Sequence, residues 1–148
     1  MIKDIIEAEA KRLQYVFDYG RHDYLNLNTI QQSNSDRIHF LMYPIRHREN
    51  FSRSGFIRNK EYTIEFFLCR KSELNEDYDI NRDGGTANNA RFEKYIRPLY
   101  NAFENGIKRF FICHPDLRII NCNIDEVINV FDMNVDGLQI RLTVNEDF

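Results

Sequence analysis

Between residues 88 and 111, large apolar residues recur at three- and four-residue spacings: Phe92, Tyr95, Ile96, Leu99, Phe103, Ile107, Phe110 and Phe111. That spacing puts them on one face of a helix, with Arg91, Lys94, Arg97, Asn101, Glu104, Asn105 and Lys108 on the other. Glu93 precedes Arg97, and Glu104 precedes Lys108, by four residues, the more favourable order for such pairs. Pro98 removes one backbone hydrogen bond, so the pattern predicts a kinked helix or two shorter ones with Pro98 in the first turn of the second. A stripe this aromatic needs a broad apolar surface to bury against.

The flanking segments supply one. Ile2, Ile6, Ala10, Leu13 and Phe17 form a helical stripe with Ile5 and Val16 on its flank, which predicts a first helix over residues 2–17 with Gly20 as its stop. Residues 24–30 alternate weakly, as a short edge strand would, and 31–36 read as a polar loop. Residues 37–45 are β-rich, with Ile38, Phe40 and Met42 on one face and Pro44 marking an edge or an end. Residues 60–71 are the clearest strand: Tyr62, Ile64, Phe66 and Leu68 face one way, and Thr63, Glu65, Phe67 and Cys69 the other.

Downstream, residues 117–123 and 126–133 look extended. Asn134-Val135-Asp136-Gly137 reads as a turn, with Gly137 able to take the positive φ that such a turn often needs. Leu138, Ile140, Leu142 and Val144 then alternate with Gln139, Arg141, Thr143 and Asn145. The expected fold is a single α+β domain over residues 1–148: an N-terminal helix, a mostly antiparallel sheet of about five strands packed by one long central helix, and a closing β-hairpin at 126–144.

Composition narrows the function classes. A chain of 148 residues, 43% hydrophobic, suffices for one core. A net charge of −3 and a pI near 5.8 argue against a dedicated nucleic-acid binder. No apolar run approaches the ~20 residues a membrane span requires. The stretch MIKDIIEAEAKRL carries acids where a signal peptide would be apolar. Cys69, Cys113 and Cys122 are widely spaced without a CxxC pair, the pattern of buried thiols in a protein made in the cytoplasm.

Charge is distributed unevenly. Residues 46–59 read as a basic loop, with Arg46, His47, Arg48, Arg53 and Arg58 against Glu49. Residues 72–85 read as an acidic loop, with Glu73, Glu76, Asp77, Asp79 and Asp83 against Arg82. Repeated head to tail, such patches would meet in neighbouring subunits. The basic loop also suits phosphate contacts, with Phe51 and Phe56 available to stack on bases. Asp79, Asn81 and Asp83, followed by Gly84, match the first half of a calcium loop, but the position of the closing Glu is Ala90. A solvated turn leading into a helix uses the same residues. His22, His39, His47 and His114 are scattered, with His39 read as pointing out from a strand, and no nucleophile-elbow, HExxH or phosphate-loop motif is present. Neither catalysis nor a cofactor is expected.

The order of elements, together with the closing stretch VINVFDMNVDGLQIRLTV, resembles the small neck proteins of tailed bacteriophages, in particular those of Bacteroidetes-type hosts. These are tail-terminator, tail-completion and head–tail connector proteins. The resemblance implies a virion protein without catalytic residues, a homo-oligomeric ring joining portal to tail around the DNA path. Its partners would be other copies, portal or connector or tail proteins, and the genomic DNA in the channel. Residues 46–59 would reach a neighbouring subunit or ring. The alternative is a small nucleic-acid-binding accessory protein using the basic residues at 46–58.

Overall fold

The computed structural model describes residues 1–20, 37–72, 92–128 and 135–148. The expected strand at 24–30, the acidic loop residues Glu73, Glu76 and Asp77, and the half calcium loop at Asp79, Asn81 and Asp83 lie outside these. The fold is α+β, as the patterning predicts, and the described residues form six strands in one mixed sheet.

Helix α1 spans Ile2–Arg12, burying Ile2, Ile6 and Ala10. It is shorter than the expected 2–17. Gln14 takes a φ of 65°, the chain reverses, and Val16–Tyr19 becomes strand β1. Leu13, Val16 and Phe17 continue a helical spacing, but pairing decides their state. β1 runs parallel to β2 (His39–Met42), and Phe17 stacks on Phe40 at 5.7 Å. Gly20 therefore follows a strand rather than ending a helix.

Beyond β2, Pro44 lies in a short break, and the chain resumes as β3 (Arg46–Phe51) and β4 (Ile57–Lys71). The expected basic loop is thus a β-hairpin, and the strand expected at 60–71 starts at Ile57. β2 and β3 both pair antiparallel with β4, one after the other along its length.

The helical region begins with a π-helical turn, Phe92–Ile96, continues as α2 (Arg97–Asn105) and, after Gly106, as α3 (Ile107–Cys113). Pro98 sits in the first turn of α2, where its missing N–H is not needed. Of the aromatic stripe, Tyr95, Ile96, Leu99, Phe103, Ile107 and Phe111 are buried. Glu104 and Lys108 pair at 2.9 Å, as their spacing predicts.

β5 (Leu117–Val127) is one continuous strand, not two segments, and pairs with β6 (Val135–Asp147). Ile119 faces Val144 and Asn121 faces Thr143, so Ile120 is the extra residue of a bulge and stands exposed. β6 also pairs with β4 from Asn59↔Asp147 to Lys71↔Val135. The strand order is β1-β2-β4-β6-β5, with β3 beside β4. All pairs are antiparallel except β1–β2.

One sheet face carries Phe40, Met42, Ile64, Phe66, Leu68, Leu138, Ile140, Leu142 and Val144, covered by the helical region and α1. Phe66 stacks on Phe40 with ring centres 4.4 Å apart and meets Phe103 at 6.1 Å. Each such side chain contributes about 1.5–3 kcal/mol on burial, which accounts for the stability of a helical region interrupted at two points. The other face is polar except for a small cluster of Leu41, Phe67, Cys69 and Val135.

Three of the four residues expected to form a turn at 134–137 are strand instead. Val135, Asp136 and Gly137 are already in β6, paired with Lys71, Arg70 and Cys69. Gly137 is there for close approach rather than for a positive φ: a Cβ would lie 2.7 Å from Cys69 Cβ and 2.8 Å from the Leu68 carbonyl oxygen.

Candidate interaction surface

Three residues, Arg53, Ser54 and Gly55, close the β3–β4 hairpin. The Gly55 N–H donates to the Ser52 carbonyl at 3.0 Å, and the Ser52 N–H donates to Phe56 O at 2.7 Å. Gly55 has a φ of 83°, the left-handed position that ends a three-residue hairpin loop. The Ser52 hydroxyl accepts the Phe56 N–H at 3.2 Å. Every polar group named here is satisfied locally, so the tip has a defined shape.

That tip is apolar where water would favour polar side chains. Phe51 is 57% exposed and Phe56 75%, with Ile57 beside them and Phe148 nearby. The Phe148 N–H donates to Arg58 O at 3.1 Å, which ties the end of β6 to the hairpin. Arg58 lies at a bulge between the Asn50↔Asn59 and Phe51↔Ile57 pairs.

The five basic residues expected to act together are divided by the strand pleat. Arg46 and Arg48 lie on the polar face, opposite Thr63 and Glu61. Arg48 pairs with Glu61 at 3.2 Å. His47 lies on the opposite face, its ring 6.1 Å from Tyr62. Arg53 and Arg58 are exposed at the tip.

Across the polar face, Glu65 accepts from Arg141 at 3.3 Å and from Gln139 at 3.0 Å, and Arg118 pairs with Asp147 at 3.6 Å. On the other side, Met1, Ile2, Ile5, His47, Lys60, Tyr62, Leu117, Glu146 and Phe148 line a groove of about 330 Å³. There the Tyr62 hydroxyl donates to Glu146 at 2.8 Å, and burial together with that bond pushes its pKa up to about 12.

The thiols divide as well. Cys69 is buried, and burial pushes its pKa up to about 12, but Cys122 is only half-buried and Cys113 is exposed, contrary to the expectation of three buried thiols. His114, next to Cys113, accepts the Asp116 N–H at Nδ1 (3.2 Å) and packs edge-on against Phe110. His39 faces away from the main core, as expected for its strand position, but is half-buried; burial and Arg37 lower its pKa. Among the described residues, no group of three His, Cys, Asp or Glu could hold a metal ion, and no helix is long and apolar enough to cross a membrane.

Phe51 and Phe56 stood out in the sequence, whereas Ile57, Ile112, Ile120, Ile128 and Phe148 did not announce themselves as exposed apolar positions. The signal available was a set of isolated apolar residues in otherwise polar stretches, which does not distinguish surface from core. No protein-family model and no curated protein matches the chain.

Proposed function

We propose that this protein is a structural subunit that assembles with copies of itself into a ring, of the kind found in the neck or tail of tailed phages, around a DNA path. The observation that carries this reading is the hairpin tip, where Phe51, Phe56 and Ile57 stand exposed on a locally satisfied turn. A defined apolar projection of this kind is stabilised when a partner covers it. A hairpin tip that presents three exposed apolar residues suits a heterologous contact, in which a surface of one copy meets a different surface of the next.

Nucleic-acid binding is the alternative, supported by Arg53 and Arg58 beside two exposed aromatic rings. Against it stand the Arg48–Glu61 pair and the net charge of −3.

The test is solution mass by light scattering, with electron-microscope images, for the wild type and for Phe51→Ser/Phe56→Ser. Discrete rings that the double variant loses, at unchanged thermal stability, support assembly through the tip. A monomer at all concentrations that binds DNA with a steep salt dependence would replace this reading with the alternative.

A further inference from the structure

Among the described residues, no further strand pairs with either margin of the sheet, and the outlines of the two margins fit one another. On one side, β5 is paired only with β6 among the described residues. On the other, β3 and β2 share one flank of β4, and β1 lies outside β2, so the margin has a step. Following the pairing across the sheet, Arg46 is level with Thr63, Thr143 and Asn121. β1 is level with Ile124 to Val127. Strands β3, β4, β6 and β5 alternate in direction, so β5 runs opposite to β3. A second copy in the same orientation therefore presents its β3 antiparallel to β5 of the first.

Resting on the reading of the chain as a self-assembling subunit, we infer that β5 of one copy pairs with β3 of the next, Arg46 opposite Asp125, and so continues the sheet from copy to copy. Unpaired strand edges are templates for such pairing. Three independent features select the register.

The first is the step. Level pairing, with Arg46 opposite Asn121, would put β1 of the second copy into the row that Ile124–Val127 already occupy. It would also set Arg48 opposite Arg118. The second is the pleat, since an odd shift would turn the polar face of one copy against the apolar face of the other. The smallest even shift that carries β1 beyond Val127 moves Arg46 from Asn121 to Asp125. Arg48 then faces Asn123, Asn50 faces Asn121, and the exposed Phe51 comes beside the exposed Ile120.

The third is charge. On the polar face, Arg48 is paired with Glu61, Arg141 with Glu65 and Arg118 with Asp147. Arg46 and Asp125, both exposed, form no ion pair with the described residues of their own chain. They lie on opposite margins of the sheet, and this register joins them.

Oxidative cross-linking tests the register. Arg48→Cys/Asn123→Cys, in a Cys113→Ser background, should give a ladder of disulfide-linked multimers on non-reducing gels. Arg46→Cys/Asn121→Cys, the level pairing, should give none. In parallel, Arg46→Glu and Asp125→Arg should each weaken the contact about fivefold, the upper range for a cross-strand charge pair, and the double reversal should restore it. Circular dichroism identifies any variant that fails to fold, and the charge reversals then carry the test.

Rings without the Arg48/Asn123 cross-link and without charge rescue would overturn the edge pairing and leave the ring reading intact. A ladder from chains that never close into rings would support the edge pairing and overturn the ring. A monomer that neither cross-links nor responds to charge reversal would overturn both.

Discussion

Gly137→Ala separates two accounts of one residue. If Gly137 served a turn with positive φ, alanine would cost about 1–2 kcal/mol and Gly137→Asn would be tolerated, since asparagine accepts that conformation. In the structure Gly137 lies within β6, opposite Cys69 of β4 and Val127 of β5. An alanine Cβ would lie 2.7 Å from Cys69 Cβ, 2.8 Å from Leu68 O and 3.0 Å from a Phe67 ring carbon. Carbon contacts are comfortable at about 3.5–4.0 Å, so the strands must part by about 1 Å. Overpacking of this sort costs about 1–3 kcal/mol, and loosened ladder hydrogen bonds add about 1 kcal/mol each.

We expect Gly137→Ala to lose about 3 kcal/mol, or about 9 °C in Tm for a domain of this size. The assay is urea and thermal unfolding followed by circular dichroism. Gly137→Asn should be worse than alanine, because its longer side chain enters the same space. Cys69→Gly in the Gly137→Ala background should recover part of the loss by removing one of the clashing atoms. A loss below about 1 kcal/mol, or an asparagine variant as stable as the alanine one, would refute the close-packing account.

Phe66→Ala removes a ring that stacks on Phe40 and meets Phe103 in the fully buried core, so a loss of about 3–5 kcal/mol in urea unfolding is expected. Tyr62 and Tyr100 donate to Glu146 and Glu126, and burial, with those bonds, pushes both pKa values up to about 12. A raised pKa favours the protonated form in the folded state. The resulting stability is complete below the ordinary tyrosine value of about 10 and is lost as pH rises toward 12. Tm should therefore fall through that window, and the double variant Tyr62→Phe/Tyr100→Phe should flatten the fall; an unchanged slope would refute the assignment.

Local pattern carried much of this fold. The aromatic stripe between 88 and 111 requires one buried helical face, and that face covers the sheet through Ile96, Leu99, Phe103, Ile107 and Phe111. The alternation at 60–71 and 138–144 requires strands with one apolar side, and those strands are β4 and β6. These features were legible because helical and strand periods differ, so long runs are unambiguous. The candidate interface was legible only as an excess of Arg and His at 46–58 with Phe51 and Phe56 among them.

Tertiary structure decided what short or ambiguous runs leave open. Val16–Tyr19 continues the spacing of α1, yet the parallel pairing with β2 makes it a strand. The basic stretch is too polar to announce a strand, but β4 offers it an unpaired flank, and the resulting hairpin sends Arg46 and Arg48 to one face and His47 to the other. Gly137 reads as a turn residue because glycine serves both positive φ and close approach, and only the distance to Cys69 tells them apart. Local propensity is a property of a few neighbouring residues. Which edge a strand meets, and how near two backbones come, depends on residues far apart in the chain, and only the folded structure brings those together.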